Sequence, residues 1–150
     1  MNAEKAVTGD AQSIFDLMSQ YTECGILLPR NLSEIYRNIR DFFVFRDKDG
    51  IAGCASLQIV WEDLAEIKSL AVEREKWGGG MGTSLVQACL DEAREMRMPT
   101  VFVLTREAGF FEKLDFEPID KSELPQKVWS DCVACPKFPN CDEEAMICRI

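Results

Sequence analysis

The stretch EIKSLAV–EREKW–GGGMG–TSLVQACLDEAREM, running from Glu66 to Met96, decides the fold. An apolar strand ends at Val72, a short charged connector follows, and a run of glycines opens a helix. The first turn of a helix carries backbone N–H groups without intrahelical partners, at the positive end of the dipole. Glycine lets a ligand approach that backbone closely. The stretch therefore reads as an anion site, with phosphate as the natural occupant. The helix carries Met81, Leu85, Val86, Cys89, Leu90, Ala93 and Met96 as an amphipathic stripe.

Outward from this unit the chain alternates between the two periodicities. Ala3 to Val7 reads as a first strand. Asp10 is a candidate cap for a helix with Ile14, Leu17, Met18 and Tyr21 at helical spacing, broken by Gly25. After the loop ILLPR, Asn31 and Glu34 form a capping-box pattern for a second helix with Leu32, Ile35, Tyr36 and Ile39 on its buried stripe. DFFVFRD and IAGCASLQIV are two strands joined through Lys48–Gly50 as a hairpin. LAEIKSLAV follows the turn at Trp61–Asp63, and its near-continuous apolar end predicts a central place in the sheet. Pro99 ends the helical unit, TVFVLT is a buried strand, and REAGFFEKLDF predicts a helix of two to three turns with Phe116 opening another strand. The tail from Lys121 is irregular, with AMICRI as a last strand. The expected order, β α α β β β α β α β plus a tail strand, is an α/β fold with a mixed sheet and helices on both faces. Residues 1–150 are expected to form one domain, with 121–150 its Cys-rich irregular end.

Composition removes several function classes. There is no histidine, which excludes Ser-His-Asp and Cys-His catalysis and any His-ligated metal. A net charge of −9 argues against nucleic acid and anionic membranes as partners, so an anionic ligand needs local donors. No apolar run reaches membrane-spanning length, the N-terminus is unlike a signal peptide, and seven cysteines in such a chain read as reduced thiols of a cytoplasmic protein. Cys132, Cys135 and Cys141, with Cys148 further on, leave three readings open: a structural zinc site, a redox pair, or packing thiols. No catalytic metal is expected, and the assembly stays open between a monomer and a homodimer.

The glycine run admits several readings. A nucleoside-triphosphatase loop needs Lys before the Ser or Thr, and here Gly82 precedes Thr83. A dinucleotide fingerprint needs its third glycine where Thr83 stands, directly after a strand, whereas Glu73 to Trp77 intervene. A loop without a ligand is the bland alternative. The fourth reading is a resemblance. The chain resembles the GNAT superfamily of acetyl-CoA-dependent N-acetyltransferases in element order over nearly its whole length. Leu70, Ala71 and Val72 match the family's strand end, and Gly80 and Gly82 its two motif glycines, after Gly78 and Gly79. Trp77 stands at the usual basic position, with Arg74 and Lys76 as substitutes for the missing charge. The resemblance implies acetyl-CoA as co-substrate, held along Leu70–Val72 and by Trp77, Gly78, Gly79, Gly80, Met81, Gly82 and Thr83.

The family's Phe-Tyr-x-x-x-Gly-Phe block reads here from Phe110 to Phe116, with Phe111 in place of the tyrosine that protonates the departing thiolate in many members. Asp115 replaces the glycine, which implies left-handed backbone at a residue that adopts it at a cost. Within the superfamily, GILLPR, AEIKSLAV, VFVLT and DKSELP are similar to short-form N-acetylglutamate synthases. That similarity implies acetyl transfer to the α-amine of L-glutamate, the first step of arginine biosynthesis. The alternatives are another small amine, a protein amine, or a non-catalytic acyl-CoA sensor.

Glu66 is the candidate base, since burial on a central strand raises a carboxyl pKa toward the working range, against a structural ion pair as the plain reading. A backbone N–H near Leu70 is the implied oxyanion donor, and Thr105 the hydroxyl for the sulfur, against an ordinary strand-end threonine. A dicarboxylic acceptor needs cations, of which Arg30 is first, with Lys68, Lys127 and Lys137 as further candidates. Glu66 and Lys68, two apart on a strand, share a face.

Overall fold

The computed structural model describes residues 3–23, 30–124 and 143–150. Its elements follow the expected order: β1 (Glu4–Lys5), α1 (Ala11–Glu23), α2 (Leu32–Arg37), β2 (Phe42–Asp47), β3 (Gly50–Trp61), β4 (Leu64–Val72), α3 (Met81–Glu95), β5 (Thr100–Thr105), α4 (Ala108–Glu112), β6 (Glu117–Ile119) and β7 (Glu144–Arg149). The seven strands form one sheet in the order β1-β2-β3-β4-β5-β7-β6, so the strand expected at the centre is the middle one. β1–β2, β2–β3, β5–β7 and β6–β7 are antiparallel, and β4–β5 is parallel. The parallel pair follows from α3, because two strands joined by a helical crossover run in the same direction. The tail strand β7 inserts between β5 and β6, a place its sequence does not announce.

The chain divides into two compact units, Met1–Gln58 with Ile67–Glu92, and Ile59–Glu66 with Ala93–Ile150. In the first, Ile14, Leu17, Met18 and Tyr21 of α1 pack with Ile35, Ile39, Phe42, Val44, Cys54 and Ala71. Asn31 caps α2 as expected, its side chain accepting the Glu34 amide at 2.8 Å and donating to the Glu34 carboxylate at 2.7 Å. The bulge between Phe45 and Arg46 accompanies a two-pronged bond from Arg46 to the buried Asp10, at 2.8 and 2.6 Å. This guanidinium holds the Asp10 carboxyl below its ordinary range. From α3, Leu85, Val86, Cys89 and Leu90 are buried, worth roughly 1.5–3 kcal/mol for each large aliphatic side chain. Gly53 makes room for this helix, since a Cβ there would stand 2.9 Å from Leu85 Cδ1.

In the second unit Leu64, Phe102, Leu124, Ala145 and Ile147 form the core, with Val60, Leu104 and Ile119 against it. Three expectations need correction. Tyr36 is 48% exposed, because α2 is only six residues long and its buried stripe narrows to Ile35. Met96 is 51% exposed, because α3 ends at Glu95 and the chain turns there. The helix expected over 106–116 is the five-residue α4, because the chain turns at Lys113–Asp115.

Both of these endings are Schellman motifs. After α4, the Phe116 amide bonds the Phe111 carbonyl at 3.1 Å and the Asp115 amide bonds Glu112 at 3.2 Å, with Asp115 at φ 68°. The rings of Phe111 and Phe116 supply the accompanying apolar contact, edge-on at 5.2 Å. After α3, the Met98 amide bonds Ala93 at 2.8 Å and the Arg97 amide bonds Arg94 at 3.0 Å, with Arg97 at φ 58°. Left-handed backbone at a non-glycine residue costs about 1–2 kcal/mol. Asp115→Gly and Arg97→Gly are therefore each expected to raise the melting temperature by roughly 2–4 °C. Calorimetric melting checks this, and a lowered Tm in both variants would contradict the assignment of strain.

Candidate functional site

β4 carries several of the candidate residues, Glu66 in the second unit and Lys68 and Leu70–Val72 in the first. Leu64 to Ile67 are buried, Lys68 to Leu70 half-buried, and Ala71 and Val72 buried again. Glu66 is 5% exposed and pairs with Phe102 in the parallel ladder with β5. Lys68, two residues on, is half-buried. Ser69 then breaks the strand geometry with φ 58°, a left-handed conformation for a residue with no glycine-like freedom. Two side chains of β3 serve the carbonyls at this kink. Ser56 Oγ donates to the Lys68 carbonyl at 3.1 Å, and Cys54 Sγ to the Ser69 carbonyl at 3.4 Å. Both donors are buried, and burial pushes the Cys54 thiol up to about 12, so it stays protonated as a donor.

Arg30 reaches the same kink. Its Nη1 donates to Ser69 Oγ at 3.1 Å, and its guanidinium lies 5.1 Å from the centre of the Phe42 ring. Partial burial lowers its pKa from the ordinary arginine value, which leaves it a cation at any working pH. Arg30 is thus held on two sides by a hydroxyl and an aromatic face, a posture suited to presenting its remaining donors to a planar carboxylate.

The glycine loop lies between β4 and α3. Gly78 and Gly80 both have φ 85°, where a side chain is strained, and Gly78 to Gly80 are exposed. The Ser84 amide bonds the Gly80 carbonyl at 3.0 Å, which makes Gly80 the cap and puts Met81, Gly82 and Thr83 in the open first turn of α3. Exposed glycines running into the N-terminus of α3 leave backbone N–H groups open to an anion.

Trp77 has a defined task at the start of this loop. Its indole Nε1 donates to the Val72 carbonyl at 2.8 Å and to the Tyr21 hydroxyl at 3.2 Å. The Tyr21 hydroxyl in turn donates to the same carbonyl, and the two rings stack with centres 6.4 Å apart. Trp77 thereby ties the loop to the end of β4 where a basic residue is usual, leaving 59% of its surface exposed. Both substitute charges have contacts within the first unit. Lys76 is bound by the carboxylate of Asp47, with Glu73 at 3.2 Å and Asp49 at 3.6 Å, so its charge is already neutralised. The Asp47 bond holds its ammonium above the ordinary lysine value. The Arg74 guanidinium lies 5.7 Å from the centre of the Tyr21 ring.

In the second unit, Thr105 is buried at the end of β5, and its hydroxyl oxygen accepts the Glu107 amide at 2.8 Å. The hydroxyl thus shapes the turn into α4 and keeps its own proton to donate. Phe111 is 2% exposed, edge-on to Phe110 at 5.0 Å, and serves as core. Lys127, Lys137 and the cysteines Cys132, Cys135 and Cys141 lie outside the described residues. Cys148 is buried in β7. No described helix is long and apolar enough to cross a membrane.

Ser69, Cys54 and Ser56 are not marked out by the sequence, nor is the contact of Tyr21 with Val72 and Trp77. The one available signal for the β3 pair was the small polar residues two apart, in a strand that needed only apolar side chains for its core.

The acetyltransferase (GNAT) family profile matches residues 12–116, and the chain belongs to that family. An uncharacterized N-acetyltransferase of Chlorobaculum tepidum is 41% identical over 138 residues, 92% of this chain and 89% of that protein. An amino-acid acetyltransferase of Mycobacterium tuberculosis is 33% identical over 130 residues, 85% of this chain and 74% of that protein. Among solved structures, Rv2747 from Mycobacterium tuberculosis in complex with CoA and NLQ superposes with a TM-score of 0.87 at 28% identity, covering 99% of this chain and 98% of that one. An N-acetylglutamate synthase from Neisseria gonorrhoeae, complexed with coenzyme A and N-acetyl-glutamate, gives 0.88 at 27% identity. It covers 98% of this chain, which spans 34% of that protein's length. Within the family the chain is thus an N-acetyltransferase related to the amino-acid acetyltransferases.

Proposed function

We propose that residues 1–150 act as one acetyltransferase domain that moves the acetyl group of acetyl-CoA onto the α-amine of L-glutamate. The observation that carries the reading is β4. Within Glu66–Leu70 it supplies a buried carboxylate, a cation and a kink that binds Arg30, and its end runs into the open glycine loop. Both solved relatives bind CoA, which supports acetyl-CoA as the donor, and the one complexed with N-acetyl-glutamate supports glutamate as the acceptor.

In this reading the amides of Gly78 to Thr83 hold the pyrophosphate, while Leu70, Ala71 and Val72 line the pantetheine arm. Glu66 takes a proton from the acceptor ammonium, directly or through water. The free amine attacks the thioester carbonyl, and the backbone N–H at Leu70 stabilises the oxyanion. The C–S bond breaks as the amide forms, and Thr105 hydrogen-bonds the departing sulfur through its hydroxyl or relays to it a proton drawn from the attacking amine or from water. Arg30, Lys68, Lys127 and Lys137 are the receptors for the two acceptor carboxylates. Arginine biosynthesis follows as the pathway if glutamate is the acceptor.

Arg30→Ala removes one charge-assisted contact, worth roughly 1.5–3 kcal/mol. Glutamate use is expected to fall about tenfold to a hundredfold, with CoA affinity preserved because the glycine loop is separate in sequence and chemistry. Glutamine is expected to be poor, since its neutral amide forfeits the ionic contact. Steady-state rates with glutamate, glutamine, aspartate and leucine, in wild type and Arg30→Ala, test this. Equal use of glutamine or leucine, or untouched glutamate kinetics in Arg30→Ala, would remove glutamate as the acceptor.

One observation favours a second reading. Phe111 is packed in the core where many relatives carry the proton-donating tyrosine, which suits an acyl-CoA sensor without chemistry. Binding of CoA without thiol release on any amine is the signature of that reading.

A further inference from the structure

The kink at Ser69 has features that strand formation does not require. A left-handed residue in the middle of a strand costs about 1–3 kcal/mol and persists only where its surroundings hold it. Here they do. The carbonyl of Ser69 accepts from Cys54 Sγ at 3.4 Å, the carbonyl before it accepts from Ser56 Oγ at 3.1 Å, and both donors are buried in β3. The side chain at the kink is not a glycine's hydrogen but a hydroxyl, and it accepts Arg30 Nη1 at 3.1 Å. The opposite constraint on that guanidinium is the Phe42 ring at 5.1 Å. Phe42 itself is fully buried, and Ser69 is the polar half of the clamp.

We propose that Ser69 is a positioning residue for the acceptor: its hydroxyl, aimed by the left-handed kink, holds the Arg30 guanidinium so that its free donors face the acceptor carboxylate, and it thereby sets acceptor affinity and carboxylate specificity. The inference rests on the reading of Arg30 as a carboxylate receptor. A guanidinium on a long flexible stem loses rotamer freedom when it binds, and a clamp that orders it beforehand removes part of that cost. Serine does this as an acceptor, because arginine offers only donors. A merely structural kink is best made by glycine, which adopts positive φ without strain. The two roles therefore predict opposite rankings of variants.

The test is steady-state kinetics with glutamate as the varied substrate, together with calorimetric CoA binding, for Ser69→Ala, Ser69→Gly and Ser69→Asn. The proposal predicts that Ser69→Ala and Ser69→Gly each raise the acceptor KM about fivefold to tenfold, less than the loss of the Arg30 contact itself because Ser69 acts only through that guanidinium. CoA affinity stays as in wild type. Asparagine tolerates left-handed backbone and offers an amide oxygen as acceptor, so Ser69→Asn recovers part of the loss. In the Arg30→Ala background, Ser69→Gly produces no further rise in KM, since nothing remains to be positioned. A wild-type acceptor KM in a folded Ser69→Gly overturns the proposal, as does a rise that simply multiplies with that of Arg30→Ala. If Ser69→Ala fails to fold, Ser69→Gly decides alone, because it relieves the strain while removing the hydroxyl. If Arg30→Ala leaves the acceptor KM unchanged, it is the carboxylate-receptor reading of Arg30 that fails.

Discussion

Glu66→Gln is expected to lower kcat by about a hundredfold to ten-thousandfold, the range that a positioned general base supplies. Glutamine is nearly isosteric, so the strand register with Phe102 and the buried environment are retained. What is lost is a site that accepts a proton. The acceptor amine enters as an ammonium at neutral pH, and without deprotonation it has no lone pair with which to attack a thioester. CoA affinity is expected to stay unchanged, because the proposed contacts of the nucleotide lie on the glycine loop. Stopped-flow or thiol-trapping rates, read beside a thermal melt, separate chemistry from folding. A kcat within threefold of wild type, about 0.7 kcal/mol of barrier, would remove Glu66 as the base and leave it a structural carboxylate.

Gly80→Asp is expected to abolish CoA binding within any practical concentration range, a loss on the order of a hundredfold or more. Two effects combine. Gly80 has φ 85°, so any Cβ introduces strain even though the space around it is open. The larger effect is electrostatic, since a carboxylate at the cap of α3 stands where the phosphates are proposed to sit and competes for the same amides. Gly80→Ala carries the strain without the charge and is expected to bind CoA measurably, with affinity between the two. Calorimetry of both variants checks the placement. Wild-type affinity in a folded Gly80→Asp would contradict it.

Much of this was legible in the sequence, for reasons that differ by residue. The order of elements was readable because apolar periodicity switches cleanly between strands and helices, as in LAEIKSLAV against TSLVQACLDEAREM. The central place of β4 was readable because its end is apolar on consecutive residues. The left-handed turn at Asp115 was readable because the residue stands where glycine is usual. By contrast, the left-handed kink at Ser69 was not, since serine has no preference for positive φ and the surrounding pattern is that of an ordinary strand. The neutralisation of Lys76 was hidden for another reason: its partners Asp47 and Asp49 belong to a hairpin far away in sequence. Tertiary proximity decides both, and no local pattern records it. Helix ends were misjudged where a capping motif stopped a still-periodic pattern, at Met96 and after Glu112.

The most direct measurement is release of the CoA thiol from acetyl-CoA by the wild-type protein, with L-glutamate, a panel of other amino acids, and peptides bearing free N-termini or lysines as acceptors. The acylated product is identified by mass. The expected result is turnover on L-glutamate, formation of N-acetylglutamate, and little reaction with glutamine or peptides. CoA binding without turnover on any amine, or turnover confined to peptide amines, would contradict it.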